Sequence, residues 1–433
     1  MNPIAEQLNA SLDSENPHVL NMLSQLGKEL FYPKGILSQS AEAKKSAHKF
    51  NATIGMATEN GEMMHLDLIQ KTLSAYEPKD LYPYAPPAGK PELRSEWRKK
   101  IILDNPSLKD KTFGTPIVTN ALTHGMSIAA DLFVDQQDPV ILPDKYWGNY
   151  NLIFELRRGG QLHTFPLFND QETFNVDGLR EVLFAQKDHG KAIVILNFPN
   201  NPTGYTPHEE EAEQIVSVLL EAAEAGINIV AVTDDAYFKL FFEDSIKESL
   251  FSRLANLHPR ILSVKVDGAT KEEFVWGFRV GFITFANTSS KAVDVLEQKT
   301  TGLIRGTISS AAHPSQTFVL KALQSPEFTG QQEEKCSIMK KRANKVKDVL
   351  NNQKYHKLWS YYPFNSGYFM CLKLNEVNAE EARKHLLDKY GVGVVAINAT
   401  DLRIAFSCVE EEDIEELFEL IYQGVNDLLA VRS

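Results

Sequence analysis

The stretch 192–235, AIVILNFPNNPTGYTPHEEEAEQIVSVLLEAAEAGINIVAVTDD, joins two apolar runs through an amphipathic segment. The runs 192–196 and 227–232 are almost continuously apolar and rich in β-branched residues, which is typical of strands covered on both faces. Between them, the apolar residues of 209–225 recur at three- and four-residue steps, as they do on a surface helix. The order strand, helix, strand predicts two parallel strands joined by a helix that packs against the sheet.

The same pattern extends toward the N-terminus, where the runs 116–119 and 139–142 also read as buried strands. We therefore expect an α/β fold whose large domain has a mostly parallel sheet with helices on both faces. In such sheets the ligand binds beyond the carboxyl ends of the strands.

From about His313 to Leu350 the pattern is mainly helical, and strands follow around 367–374 and 402–406. This change of pattern predicts a second, smaller α+β domain. The division that we expect is an N-terminal segment partly packing with the small domain, a large domain and a small C-terminal domain, at 1–60, 61–325 and 326–433.

The bulk properties favour a soluble cytoplasmic protein. With 433 residues the chain is long enough for more than one domain, and no apolar run is long enough to span a bilayer. Its first twenty residues do not read as a secretory signal. The net charge of −12 argues against sequence-independent binding to nucleic acid. The three cysteines have no metal-ligand spacing and suit a reducing compartment.

Three polar clusters follow predicted strands, where the fold argument places the ligand. The first is the turn-rich run 197–204, NFPNNPTG, and the second is 233–237, TDDAY. The third contains Lys271, followed eight residues later by Arg279. Taken singly, each is ambiguous, because Asn-Pro and Thr-Gly are common turn signals and a lone lysine is usually a solvated surface charge.

In this order, Asn-Pro-Thr-Gly, Asp-x-Ala-Tyr and Lys with Arg eight residues later, the clusters resemble the class I and II aminotransferases. These are pyridoxal 5'-phosphate enzymes of fold type I, and the resemblance runs from about Gly55 to Arg403. It implies transfer of an amino group between an L-amino acid and a 2-oxo acid. Lys271 would carry the cofactor as a Schiff base and move the proton as general acid and base.

The resemblance also assigns the residues that bind the cofactor. Asp234 would pair with the protonated ring nitrogen, while Asn201 and Tyr237 would hydrogen-bond the phenolic oxygen. Trp147 would stack on the ring. The phosphate would be held by Arg279, by the amides of Ala121, Leu122 and Thr123, and by Tyr84 from the neighbouring subunit, which implies a homodimer with shared sites.

Three positions depart from the family pattern. The turn at 121–123 departs from the family, which usually has Gly and a hydroxyl residue there, and Gly268 stands where many relatives have a hydroxyl. Tyr150 stands where aspartate aminotransferases have a His, so the partner of Asp234 is open. We expect the phosphate to depend more on backbone amides, Arg279 and Tyr84.

Substrate recognition would rest on two arginines, because guanidinium binds carboxylate bidentately. Arg403 matches the family arginine for the α-carboxylate, and Gly55 matches a glycine beside bound substrate. Arg305, 34 residues after Lys271, is similar to the arginine that aspartate aminotransferases donate across the dimer to the side-chain carboxylate. It favours aspartate or glutamate as donor. The alternative is that Arg305 only ends a helix at Gly306.

Two other functions are compatible with parts of this pattern. A pyridoxal-phosphate lyase would use the same Lys271 and Asp234, because this site chemistry serves several reactions. A non-catalytic regulator that senses a ligand would need a DNA-binding module. The segment before Gly55 is short and has no basic recognition helix, which argues against a regulator.

Overall fold

The computed structural model describes residues 2–15, 20, 23, 25–29 and 36–432. The predicted N-terminal segment 1–60 therefore lies partly outside the described residues. In chain order the α-helices are α1 (Pro3–Glu15), α2 (Gln25–Glu29), α3 (Ile36–Ser46), α4 (Asp67–Thr72), α5 (Pro78–Leu81), α6 (Pro91–Asp104), α7 (Ala121–Phe133), α8 (Val176–Phe184), α9 (Glu209–Glu224), α10 (Leu250–Leu254), α11 (Ala269–Glu272), α12 (Ser290–Thr307), α13 (His313–Leu323), α14 (Phe328–Leu350), α15 (Ala379–His385) and α16 (Ile414–Arg432).

The strands are β1 (Phe50–Asn51), β2 (Thr58–Glu59), β3 (Glu62–Met63), β4 (Ile117–Asn120), β5 (Pro139–Pro143), β6 (Gln161–Phe165), β7 (Lys191–Asn197), β8 (Asn228–Asp234), β9 (Ile261–Asp267), β10 (Val280–Ala286), β11 (Trp359–Tyr361), β12 (Phe369–Leu374), β13 (Val392–Gly393), β14 (Val395–Ala396) and β15 (Asp401–Ala405). Short helical turns link several of them, among them a π-helical turn at Asn151–Leu156.

A seven-stranded sheet with the order β4-β10-β9-β8-β7-β5-β6 forms the centre of the molecule. Strands β6, β5, β7, β8 and β9 run parallel, and β10 runs antiparallel to both of its neighbours. The predicted mostly parallel sheet is confirmed, and the four strands read from apolar runs all belong to it.

Both faces of this sheet are buried, which explains the continuous apolar runs. Along β7, Ile193 and Ile195 join the core on the side of α7, whereas Val194 and Leu196 join a second core that includes Ile215 of α9. Because successive side chains of a strand point to opposite faces, each face needs its own layer of helices.

The C-terminal part contains a four-stranded antiparallel sheet with the order β11-β12-β15-β14. It follows helices α13 and α14, as the change of pattern at His313 predicts. The N-terminal strand β1 pairs in parallel with β13. The exact domain boundaries stay a prediction. No helix in the described ranges combines the length and apolar character needed to cross a bilayer.

The C-terminal sheet lies against the carboxyl ends of the parallel strands. Arg403 of β15 donates a hydrogen bond to Asn201, which follows β7, and Cys371 of β12 donates one to the carbonyl of Pro202. The polar residues that end the parallel strands therefore face side chains of the C-terminal sheet, and a cavity lies between them.

Candidate active site

A cavity of about 270 Å³ opens at the carboxyl ends of the parallel strands. It brings together residues from the large sheet, the N-terminal segment and the C-terminal sheet. Its lining residues are Gly55, Ala121, Leu122, Thr123, Trp147, Asn197, Asn201, Asp234, Ala236, Tyr237, Thr270, Lys271, Trp276, Arg279, Phe369 and Arg403. Eleven of the thirteen residues proposed from the sequence are in this group, and Tyr84 and Arg305 are not.

Lys271 lies in the short helix α11, directly after β9. Its Nζ lies 5.1 Å from the centre of the Tyr237 ring. Burial lowers the pKa of the Lys271 ammonium to about 8, against the opposing attraction of the Asp234 carboxylate, and Arg279 lowers it further. At neutral to mildly alkaline pH a substantial fraction of this amine is therefore unprotonated and nucleophilic.

Gly268 precedes this helix, at a position where the sequence departs from the expected family pattern. A Cβ on Gly268 would lie 2.6 Å from the carbonyl oxygen of Val280 and 2.7 Å from the Cα of Gly281. The two backbone segments approach too closely for any side chain. The departure from the family pattern thus has a steric cause in the adjacent strand β10.

Asp234 ends β8 and is 4% exposed. Its Oδ2 accepts a hydrogen bond of 2.6 Å from the hydroxyl of Tyr150, and its Oδ1 accepts one of 3.2 Å from the backbone amide of Ala236. Burial raises the pKa of Asp234, while the Tyr150 hydrogen bond and Lys271 oppose this shift. Tyr150 is therefore the partner of Asp234 that the sequence left open, in the place of the family histidine.

Arg279 lines the side of the cavity next to the start of α7. Its backbone carbonyl accepts a 3.0 Å hydrogen bond from the amide of Ala121. The Ala121 amide is thus already used, whereas the amides of Leu122 and Thr123 lie in the first turn of α7 and have no partner within that helix. Two amides and one guanidinium form a site suited to an anion.

Arg403 is 2% exposed and lies at the opposite side of the cavity. One terminal nitrogen donates to Oδ1 of Asn201 at 3.0 Å, and the other donates to the carbonyl of Thr53 at 2.8 Å. Its Nε is buried and has no hydrogen-bond partner among the described residues. The guanidinium also lies 4.1 Å from the centre of the Phe369 ring, which fixes its plane.

Gly55 and Trp147 contribute the remaining walls. A Cβ on Gly55 would lie 3.1 Å from the Phe369 ring and 3.2 Å from the Tyr237 hydroxyl, so a side chain would narrow the cavity. Trp147 is partly buried and contacts Tyr150 edge to face, with ring centres 5.5 Å apart. Its aromatic surface is available to a planar ligand.

Tyr84 and Arg305 lie outside the cavity of their own chain. Tyr84 is 95% exposed. Arg305 is exposed on α12, and its guanidinium donates to the hydroxyl of Ser309. Helix α12 continues to Thr307, past Gly306, so Gly306 does not end it.

Several cavity residues were given no role from the sequence. Asn197 ends β7, donates to the backbone carbonyl of Asp234 at 2.9 Å and accepts from the amide of Asn201 at 2.9 Å. It begins the turn-rich run 197–204, and its position at a strand end was the available signal. Phe369 and Trp276 gave no signal, because an aromatic residue next to an apolar run is usually a core residue.

Comparison with known proteins identifies the family. The family model "Aminotransferase class I and II" matches residues 55–421. A probable aspartate/prephenate aminotransferase of Aquifex aeolicus is 24% identical over 399 residues, which cover 88% of this chain and 94% of that protein.

Two solved structures share the fold. An aminotransferase of Anaerococcus prevotii is 24% identical, has a TM-score of 0.83, and the match covers 94% of this chain and 99% of that one. A kynurenine aminotransferase of Pyrococcus horikoshii, solved in complex with PMP, is 16% identical and has a TM-score of 0.80. The match covers 95% of this chain and 98% of that one. The family match across most of the sequence and the shared fold lead to one conclusion: this chain belongs to the class I and II aminotransferases and is an aminotransferase.

Proposed function

We propose that this aminotransferase uses pyridoxal 5'-phosphate bound covalently to Lys271, and that its preferred amino donor is aspartate or glutamate. The observation that supports it most strongly is the environment of Lys271. An amine whose pKa is lowered to about 8 shares one cavity with the carboxylate of Asp234 and the guanidinium of Arg279. Cation, carboxylate and amine are the three groups that this cofactor needs at its phosphate, ring nitrogen and aldehyde.

The residues present fit the cofactor. Arg279 and the amides of Leu122 and Thr123 would hold its phosphate, and Asp234 would keep the ring nitrogen protonated. Asn201 and Tyr237 would bind the phenolic oxygen, and Trp147 would cover the ring. When bound, the cofactor supplies an electron sink for the substrate carbon that loses its proton.

Lys271 would carry that proton. Its Nζ lies 5.1 Å from the centre of the Tyr237 ring, in the cavity where the substrate would bind. The same burial that lowers its pKa lets it accept a proton and return it near neutral pH. Asp234 stays charged during this exchange because Tyr150 and the amide of Ala236 both donate to it.

Arg403 would bind the α-carboxylate of every donor. Its terminal nitrogens are positioned by Asn201 and by the carbonyl of Thr53, and the Phe369 ring supports its plane. A guanidinium fixed in this way loses little conformational entropy when a carboxylate binds. Gly55 would leave room for the substrate beside it.

Tyr84 and Arg305 would act in the site of a second subunit. Both side chains are exposed and neither lines the cavity of its own chain, which fits donation across a homodimer. An arginine from the partner would supply the second cation that a dicarboxylic donor needs. The name of the Aquifex relative, a probable aspartate/prephenate aminotransferase, also favours dicarboxylic substrates.

The three unpaired cysteines suit the cytoplasm.

Replacing Arg305 tests the donor assignment. In Arg305→Ala, kcat/KM for aspartate and glutamate should fall by about tenfold or more, because a charge-assisted pair is lost, whereas alanine and phenylalanine should be unaffected. Initial rates with 2-oxoglutarate as acceptor give these ratios for the four donors. Lys299→Ala, on the same helix α12, is the matched control. A uniform effect on all four donors would contradict the dicarboxylate assignment.

A further inference from the structure

A buried ion pair joins the cofactor side of the cavity to the substrate side. Lys145 follows β5 and precedes Trp147 by two residues, and Asp401 begins β15, two residues before Arg403. Nζ of Lys145 lies 3.1 Å from Oδ2 of Asp401. The lysine side chain is 13% exposed and the aspartate side chain is 1% exposed, so water screens this pair weakly.

Asp401 depends on Lys145 for charge compensation. Its oxygens also accept hydrogen bonds from the neutral groups of Tyr362 (3.1 Å), Asn398 (2.8 Å) and Thr400 (2.8 Å). Over the ranges that the structure describes, Lys145 is the only cation within 4 Å of this carboxylate. Removing Lys145 would leave a buried negative charge with neutral donors alone, which is costly.

The pair is reinforced on both sides of the cavity. The Lys145 ammonium lies 5.1 Å from the centre of the ring of Tyr362, which follows β11. The backbone carbonyl of Lys145 accepts a 3.0 Å hydrogen bond from Nδ2 of Asn200. Asp401 and Arg403 lie two positions apart in one strand, with Leu402 between them, so their side chains point to the same face of the sheet. Fixing Asp401 to the loop after β5 therefore fixes Arg403 over the cavity.

We propose that the Lys145–Asp401 pair is a latch that holds the C-terminal sheet against the large sheet and presets Arg403 for the α-carboxylate before any substrate binds. Lys145 is then a positioning residue, acting through Asp401 and Arg403. This inference rests on the proposed role of Arg403. Without the latch, substrate binding would also have to bring the C-terminal sheet against the large sheet, which lowers the net binding free energy. KM should therefore rise for every donor while kcat changes little.

The reactivity of Cys371 toward an alkylating reagent measures whether the latch is closed, independently of enzyme activity. It lies opposite Arg403 in the pairing of β12 with β15, is 1% exposed, and its Sγ donates to the carbonyl of Pro202 at 3.3 Å. Pro202 belongs to the loop after β7. Alkylation of Cys371 therefore requires the C-terminal sheet to separate from that loop.

The experiment measures iodoacetamide labelling of Cys371 in the holoenzyme by peptide mapping, together with KM and kcat for a panel of donors. Lys145→Met and Asp401→Asn should each speed labelling by about tenfold or more, because each breaks a buried pair. The double variant should label no faster than the singles if the two residues act as one pair. Lys145→Arg, which keeps the charge, should stay close to the parent protein.

The control is Lys191→Met, which breaks the 2.6 Å pair of Lys191 with Asp138 at the far end of the large sheet. It should leave Cys371 protected. Labelling at the parent rate in both Lys145→Met and Asp401→Asn, or equal acceleration in Lys191→Met, overturns the latch. Faster labelling with unchanged KM overturns its link to substrate binding. If Arg403→Lys leaves KM unchanged while Cys371 responds as expected, the role of Arg403 fails and the latch stands.

Discussion

At the scale of single residues, the proposed function requires the carboxylate of Asp234 to stay ionised in a buried site. Burial favours its neutral form, and the hydroxyl of Tyr150 at 2.6 Å is the largest opposing influence. A phenol donates one hydrogen bond and carries no positive charge, whereas a histidine at this position could become charged. The burial and the Asp234 carboxylate both keep the pKa of Tyr150 well above its ordinary value, so it remains a donor throughout the neutral range.

Replacing Tyr150 by Phe tests this role. The variant removes one hydrogen bond to a carboxylate, worth about 1.5–3 kcal/mol, so the apoprotein should bind pyridoxal 5'-phosphate at least about tenfold more weakly. Absorbance titration of the apoprotein measures this affinity. Tyr146→Phe is the matched control, because the Tyr146 hydroxyl donates to Asn151 instead. Equal affinities in the two variants would mean that Tyr150 does not support Asp234.

At the scale of elements, two carboxylates follow Lys271 directly inside a buried cluster: Glu272 ends α11, and Glu273 comes next. Glu272 accepts from Lys100 at 2.5 Å. Glu273 is fully buried, neither of its oxygens has a hydrogen-bond partner in the described part of the chain, and its nearest cation is Lys100 at 3.9 Å. Burial raises the pKa of Glu273 to about 8, against the attraction of Lys100.

This raised pKa predicts a dependence of stability on pH. The folded state holds the Glu273 proton more tightly than the unfolded chain does. The stabilisation of the folded state by this proton is therefore fully present below the ordinary pKa of 4.5 and is lost as pH rises through about 8. Glu273→Gln should have a higher free energy of unfolding than the parent at pH 8.5, and nearly the same value as the parent at pH 5. Urea denaturation at both pH values checks this.

The control for Glu273 is Glu224→Gln, which removes an exposed carboxylate at the end of α9. Its stability relative to the parent should be nearly the same at the two pH values. If Glu273→Gln is less stable than the parent at pH 8.5, the buried carboxylate must be ionised and paired in the folded protein, contrary to the prediction.

The elements also show what the sequence could and could not predict. Strands such as β7 and β8 were predictable because burial on both faces demands continuous apolar runs. The antiparallel direction of β10 was not, because an apolar run looks the same in either direction. The need for Gly268 and the partner of the Ala121 amide depend on the backbone of β10 and of Arg279, which only the tertiary structure brings near.

Part of the candidate site could be predicted from the sequence, because several of its motifs lie at the ends of strands. Asp234 ends a strand of the large sheet, Asn201 and Lys271 stand close after two others, and parallel strands bring their carboxyl ends together. Tyr150 and Phe369 could not be assigned in this way. Their roles depend on which side chains meet across the cavity, and a local pattern does not contain that information.

At the scale of the whole molecule, the proposed homodimer would complete each site with Tyr84 and Arg305 of the other subunit. This predicts complementation between inactive variants. Lys271→Ala and Tyr84→Ala subunits, mixed and allowed to exchange, should regain activity, because the hybrid has one site with both native residues. Activity of the mixture against that of each variant alone is the measurement.

The matched control mixes Lys271→Ala with Arg403→Ala. Both residues line the cavity of their own chain, so every site in that hybrid lacks one of them and no activity should return. Hybrids verified by mass spectrometry that stay inactive in the first mixture would contradict shared sites.

The lysine that carries the cofactor can be identified chemically. Borohydride reduction of the holoenzyme, followed by peptide mapping, should place the label on Lys271, and Lys271→Ala should bind no reducible cofactor. Lys265 is the informative comparison, since it is also buried but is paired with Asp235 and Asp267. Label on Lys271 alone is the predicted result, and label on Lys265 or any other lysine would contradict the role proposed for Lys271.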